Sequence, residues 1–236
     1  AAPIWSRSIA WRWHAVGWAT IAAAAIITHW AGYYSEDVSW LMVAAERVID
    51  GGRWGTDILE NNTPAAALLY APAVLLARVT GLQPMHGCDL WIVGILLFCS
   101  AVTARVFALI CGRAAAGPQA MAAGLLTFAV LGFGAGNFGF PAFGLGNNFG
   151  QRDHVIAALL LPFILLVQWM DFQPERSRTL HRIAILMAGA ALCIKPQYIV
   201  PMAIIGALVV YRHGWEQTVG RIGLAIAPSD PERIYA

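Results

Sequence analysis

Apolar residues run in long blocks along this chain, separated by short polar stretches. Residues 15–34 hold no Asp, Glu, Lys or Arg. That block of about 20 residues has the length of a bilayer-crossing helix. Polar positions then gather over residues 36–62. Within them Val38, Leu41, Met42, Ala45, Val48 and Ile49 recur at helical spacing, with Glu46, Arg47 and Asp50 on other faces. This predicts an amphipathic helix lying on a membrane and ended by Gly51-Gly52. Further apolar blocks follow at residues 63–77, 90–104, 154–170 and 183–211, the last interrupted only by Lys195. Residues 114–151 make 38 positions without a charge, and their second half, 132–150, is dense in Gly, Phe and Asn. That half suits a second pass or a re-entrant segment enclosed by protein better than a lipid-facing helix. The expected fold is all-α: a polytopic transmembrane bundle of about seven to eight spans, with an interfacial amphipathic helix in the first outer loop. Residues 1–226 form the expected transmembrane domain and residues 227–236 a polar tail.

Composition sharpens that picture. Hydrophobic residues make up 59% of the 236 positions and charged residues 12%, roughly half the charge of an ordinary soluble domain. The expectation is an integral membrane protein in contact with membrane lipids. Trp11, Trp13, Trp30, Tyr33 and Tyr34 bracket the first block as an aromatic belt does. A net charge of +2 without any basic run excludes a nucleic-acid partner. Arg7 and Arg12 precede the first block, and Arg176, Arg178 and Arg182 form the densest basic loop. Both are expected inside, with the N-terminus cytoplasmic and Glu36 and Asp37 outside. No cleavable signal pattern is present, so the first block is expected to be a permanent helix. The four cysteines lack metal-site spacing and carry no assigned chemistry.

Candidate chemistry begins at Ser35-Glu36-Asp37, directly after the first apolar block. A carboxylate there can serve as a base or hold a divalent cation. Equally, Ser35 or Asp37 can cap the amphipathic helix through its free amides. Asp57, Glu60, Asn61 and Asn62 lead into Thr63-Pro64, and read most simply as a solvated loop before a helix opened by Pro. Gln151-Arg152-Asp153-His154 heads another block. Its Arg and His can bind phosphate, or begin a salt-bridged helix. Lys195, alone in an apolar run, has the stronger claim to function, because stranding a charge within a span is costly. The Gly-rich run lacks the phosphate-loop signature. The other histidines, His29 among them, read as interfacial.

The order of these pieces resembles the membrane-embedded GT-C glycosyltransferases, the class of protein mannosyltransferase-like and lipid A aminoarabinose transferase-like enzymes. The matching elements are Glu36-Asp37 and the first-loop run from Ala44 to Arg53. After them come Asp57 to Pro64, Phe149 to His154, and Leu192-Cys193-Ile194-Lys195-Pro196. Asp153 stands where similar bacterial chains carry Glu, and Asn62-Thr63-Pro64 offers one proline where such enzymes usually show a pair. The resemblance covers roughly residues 10–215 and the N-terminal part of such an enzyme. It implies transfer of a sugar from a polyprenyl-phosphate donor at the outer face. Asp37 would be the base with Glu36 beside it, and Arg152, His154, Lys195 and Glu60 would hold substrate. No metal ligands are assigned, and a divalent metal is left open. The alternative is a catalytically inactive, truncated GT-C-like subunit packed against a larger membrane complex.

Overall fold

A computed structural model describes residues 4–30, 35–111, 118–133, 149–169, 178–213, 225–227 and 230–235. Its helices are α1 (Ile4–Trp30), α2 (Glu36–Ile49), α3 (Pro64–Leu68), α4 (Ala71–Thr80), α5 (Pro84–Cys111), α6 (Pro118–Phe133), α7 (Arg152–Trp169), α8 (Arg178–Ile194) and α9 (Ile199–His213). A 3-10 turn, Pro196–Tyr198, joins the last two. β1 (Ala225–Ala227) and β2 (Asp230–Tyr235) pair antiparallel, Ile226 opposite Ile234. The strand pair is a small departure from the all-α expectation, and it takes up part of the segment expected to be a simple polar tail.

The span count is corrected. Among the described residues only α5 is long and apolar enough to cross a membrane, not seven or eight helices. Pro64–Thr80 and Pro196–Leu208 are apolar but too short to count, and proline interrupts both of the blocks they come from. Pro72 has no N–H to give and its ring crowds the carbonyl four residues back. The apolar block after Thr63 accordingly splits into α3 and α4 around Leu69–Tyr70; the Ala73 N–H goes to the Tyr70 carbonyl at 3.0 Å, and the Leu69 carbonyl accepts the Trp91 indole N–H at 2.8 Å instead. Pro196 drives its predecessor out of helical geometry. Lys195 takes φ −145°, ψ 92°, and the block of residues 183–211 breaks into α8 and α9. α6 has 16 residues, about 24 Å at 1.5 Å per residue, against roughly 30 Å of hydrocarbon. The proposed second pass or re-entrant segment falls largely on residues 134–148, outside the described residues, as do Tyr33, Tyr34 and Arg176.

α5 is the hub, packing on α1, α4, α6, α7 and α8. The approach is closest at Gly124 of α6, where a Cβ would lie 2.8 Å from the Ala104 Cβ and 2.9 Å from the Trp18 ring, so only glycine fits. α2 differs from its expected setting. Its apolar stripe (Val38, Leu41, Met42, Ala44 and Ala45) is buried within the protein, where the helix packs on α3 and α4.

One helix, α8, buries small residues and exposes large ones. In α8 the buried positions are mostly small (Ala184, Ala188 and Ala191, with Met187 and Ile194), while Ile185 and Leu186 are exposed. Exposed large apolar side chains recur on α1, α4, α5, α6 and α9, for example Ile27, Val79, Phe98, Leu126 and Ile204. Small residues between helices let backbones approach closely, which is how helices pack when burying greasy side chains gains nothing over lipid. So wide an apolar exterior marks a surface made to contact something apolar.

Candidate functional site

Four remote pieces of chain meet at one end of the bundle: the start of α2, residues 60–63, the start of α7, and the joint between α8 and α9. The start of α7 is the centre. Gly150, with φ +74°, turns the chain into it, and its carbonyl accepts the buried Tyr70 hydroxyl at 2.7 Å. Gln151, Arg152 and Asp153 then face three different partners.

Arg152 reaches α2. Its Nη2 donates to both Asp37 carboxylate oxygens, at 3.1 and 2.9 Å, and its Nε lies 3.3 Å from Oδ2. Its other arm, Nη1, donates to the Asn62 side-chain oxygen. Asn62 in turn donates its backbone N–H and side-chain amide to Glu60 Oε1, at 2.8 and 2.6 Å, and the Trp40 indole N–H donates to Oε2. Burial pushes the Glu60 carboxyl up, but the hydrogen bonds from Asn62, Trp40 and the Asn61 backbone outweigh it and hold the group below its ordinary value. A continuous chain of polar contacts thus runs Trp40, Glu60, Asn62, Arg152, Asp37. Gln151 adds a parallel tie, donating to the Ser35 hydroxyl at 2.7 Å.

Asp153 points to the opposite neighbour. It accepts from Lys195 Nζ at 2.7 and 2.8 Å and from the Tyr198 hydroxyl at 2.8 Å. Burial again favours the neutral acid, and again the donors win: Lys195 and Tyr198, helped by the nearby charges of Lys195 and Arg152, lower its pKa. The α8–α9 joint is held at the same place by Thr63, whose hydroxyl lies 2.9 Å from the Cys193 carbonyl and 3.0 Å from that of Ile194. Those carbonyls are left without helical partners by the break at Pro196, so the break itself supplies acceptors for the loop that carries Asn62.

Several sequence expectations change. Neither Ser35 nor Asp37 caps α2 with its side chain: Ser35 stands at the N-cap position without a side-chain cap bond, and its hydroxyl accepts from Gln151. Lys195 is not stranded within a span but sits at a helix joint, with its charge paired. His154 turns inward. Its Nδ1 accepts the Gly150 N–H at 3.2 Å and its Nε2 donates to the Leu131 carbonyl at 2.7 Å, which fixes a neutral ring with both nitrogens in use. That leaves it no donor for a phosphate. His29, expected at an interface, is buried and stacked on Phe149 with centroids 3.5 Å apart, its Nε2 donating to the Gly132 carbonyl at 3.1 Å. Glu36 is exposed and makes no hydrogen bond or ion pair among the described residues.

Asn62, read most simply as part of a solvated loop, belongs to the site, as do Trp40 and Tyr198, to which the sequence assigns no role. The adjacent pair Arg152-Asp153 was the available signal: consecutive helix residues of opposite charge face different neighbours, and so demand two partners. Among the described residues no three His, Cys, Asp or Glu side chains gather as a metal site would. Chemically, the arrangement offers a shielded guanidinium, a more exposed carboxylate in its fork, and a second cation–acid pair beside them. Comparisons with protein-family models, with curated proteins and with solved structures find no match to this chain.

Proposed function

We propose that this chain is a membrane-embedded glycosyltransferase module of GT-C character, taking a sugar from a polyprenyl-phosphate donor at the outer face of a bacterial inner membrane. One observation carries the reading: Asp37, Glu60, Arg152 and Lys195, four of the residues singled out for this chemistry and remote in sequence, meet at one end of a helical body with an apolar exterior. An amphipathic lipid substrate needs such a place, where a greasy surface adjoins a polar cluster. Asp37 is the candidate base toward the acceptor hydroxyl. Arg152 and Lys195 are the candidate phosphate ligands, and Glu60 positions Arg152 through Asn62. The apolar exterior and α5 support a bilayer location, and Arg7 and Arg12 before the first apolar block support a cytoplasmic N-terminus.

The test is transfer from a polyprenyl-phosphate sugar by the purified full chain. Asp37→Asn, still folded, is expected to lose activity by a factor on the order of 10²–10⁴; full activity in that variant removes Asp37 as the base.

A second reading is favoured by the pairing itself. Asp37 and Lys195 each have an internal partner, as they would in a catalytically inactive subunit that keeps its charges satisfied. Native mass spectrometry from mild detergent separates the two. A polyprenyl-phosphate adduct supports the transferase, and a stoichiometric protein partner without lipid supports the subunit.

A further inference from the structure

The two members of the Asp37–Arg152 pair are held very unequally. The Arg152 side chain is 12% exposed and that of Asp37 is 40% exposed. Arg152 is gripped from the other side by Asn62, itself fastened to Glu60, and it begins a helix whose entry is tied down by Tyr70. Asp37 makes no hydrogen bond among the described residues other than those from Arg152. A carboxylate that already meets water leaves the pair at little cost, whereas a shielded guanidinium left alone pays a large desolvation penalty. The guanidinium is therefore the fixed socket and the carboxylate the removable plug. The fork that Asp37 occupies with two oxygens has the geometry that a phosphate group also satisfies.

We propose that a phosphate group displaces Asp37 from the Arg152 fork, so that Asp37 is freed as a base only when the donor is in place. This rests on the transferase reading and adds to it a reason for the resting ion pair: the base is kept masked until substrate arrives. No bond is made or broken in the exchange. Arg152 keeps an anionic partner throughout, and Asp37 gains water. Because the two anions compete for one fork, removing the carboxylate must strengthen phosphate binding by the factor that its competition had cost.

The experiment is calorimetric titration of the full chain in detergent with two probes, a short-chain polyprenyl phosphate lacking sugar and inorganic phosphate. Asp37→Asn is expected to bind the prenyl phosphate at least about fivefold more tightly than the unaltered chain. Arg152→Gln is expected to bind it roughly tenfold or more weakly. Binding of inorganic phosphate with the same order of affinities assigns the recognition to the phosphate alone; binding of the prenyl probe only assigns it to the lipid headgroup and tail together. The proposal is overturned if Asp37→Asn binds no better than the unaltered chain, or if neither chain binds either probe. Should Asp37→Asn not fold, Asp37→Ser carries the same expectation. The outcome is separable from the transferase reading, since the titration involves no transfer. Transfer by the unaltered chain without tighter binding in Asp37→Asn removes the masking alone, and tighter binding in Asp37→Asn without any transfer by the unaltered chain removes the transferase alone.

Discussion

α2 carries an arginine cluster at each end, and the two behave differently. At its C-terminal end Arg78 of α4 donates to both oxygens of Asp50, at 2.8 and 2.9 Å, and to Glu46 at 3.1 Å. At its start Arg152 grips Asp37 and Asn62. The bonding patterns are alike: one guanidinium, a bidentate carboxylate and a second oxygen. The settings are not. Arg78 is 39% exposed and Arg152 is 12% exposed. Arg78 joins residues 28 and 32 positions away, whereas Arg152 joins residues 115 and 90 positions away. Hydrogen bonding to Arg78 holds the Asp50 carboxyl below its ordinary value, and both acids raise the Arg78 pKa. In water, that geometry adds little. The difference teaches that a charged fork has consequences when it is shielded and joins remote chain, not merely when its hydrogen bonds are well formed.

The sharpest way to test that contrast is to cut the shielded fork. Arg152→Gln strands Asp37 and loosens Asn62, and is expected to lower unfolding stability by about 1–3 kcal/mol in a denaturant melt. A loss no greater than that of the exposed cluster erases the distinction between the two ends of α2.

A smaller effect is expected from acid at the neighbouring Asp153 pair. The folded Asp153 carboxyl sits below its unfolded value, so its stabilisation is fully present above about pH 4 and fades as pH falls through the lowered value. Half of this side chain meets water, so the loss is discounted to under about 1 kcal/mol. Asp153→Asn should flatten that acid limb of the stability curve; an unchanged limb assigns it to another carboxylate, with Glu60 the next candidate.

The least is expected at the other end of α2. Arg78→Gln should shift thermal unfolding only slightly in dilute buffer and not at all in molar salt, where exposed charges are screened. A salt-insensitive drop as large as that of Arg152→Gln would place Arg78 in a role its exposure does not suggest.

Much of the local structure was legible beforehand. The spacing of Val38, Leu41, Met42 and Ala45 predicted α2, which runs Glu36–Ile49. The apolar block at 90–104 marked α5, which extends to Pro84–Cys111. The prolines at 72 and 196 carried the signal for two breaks, but hydropathy alone read through them. It averages over a helix break because the flanking residues are equally greasy. The site was half legible. Asp37, Arg152, Asp153 and Lys195 stood out as charges in an apolar chain, whereas Asn62, Trp40 and Tyr198 are ordinary loop, helix and turn residues until their partners are known. His154 was read as a phosphate ligand because a histidine beside an arginine suggests one; the ring turned inward toward the Leu131 carbonyl at the end of α6.

By itself, then, the sequence determined the helical character, the greasy surface and the few charges available for chemistry, because periodicity and composition are local properties. Only the tertiary structure decided which charge meets which. Arg152 and Asp153 are neighbours in the chain with partners on either side of α7, and choosing those partners takes helix packing between segments that no spacing rule connects. The same packing decided which member of each pair is shielded and which is free to let go.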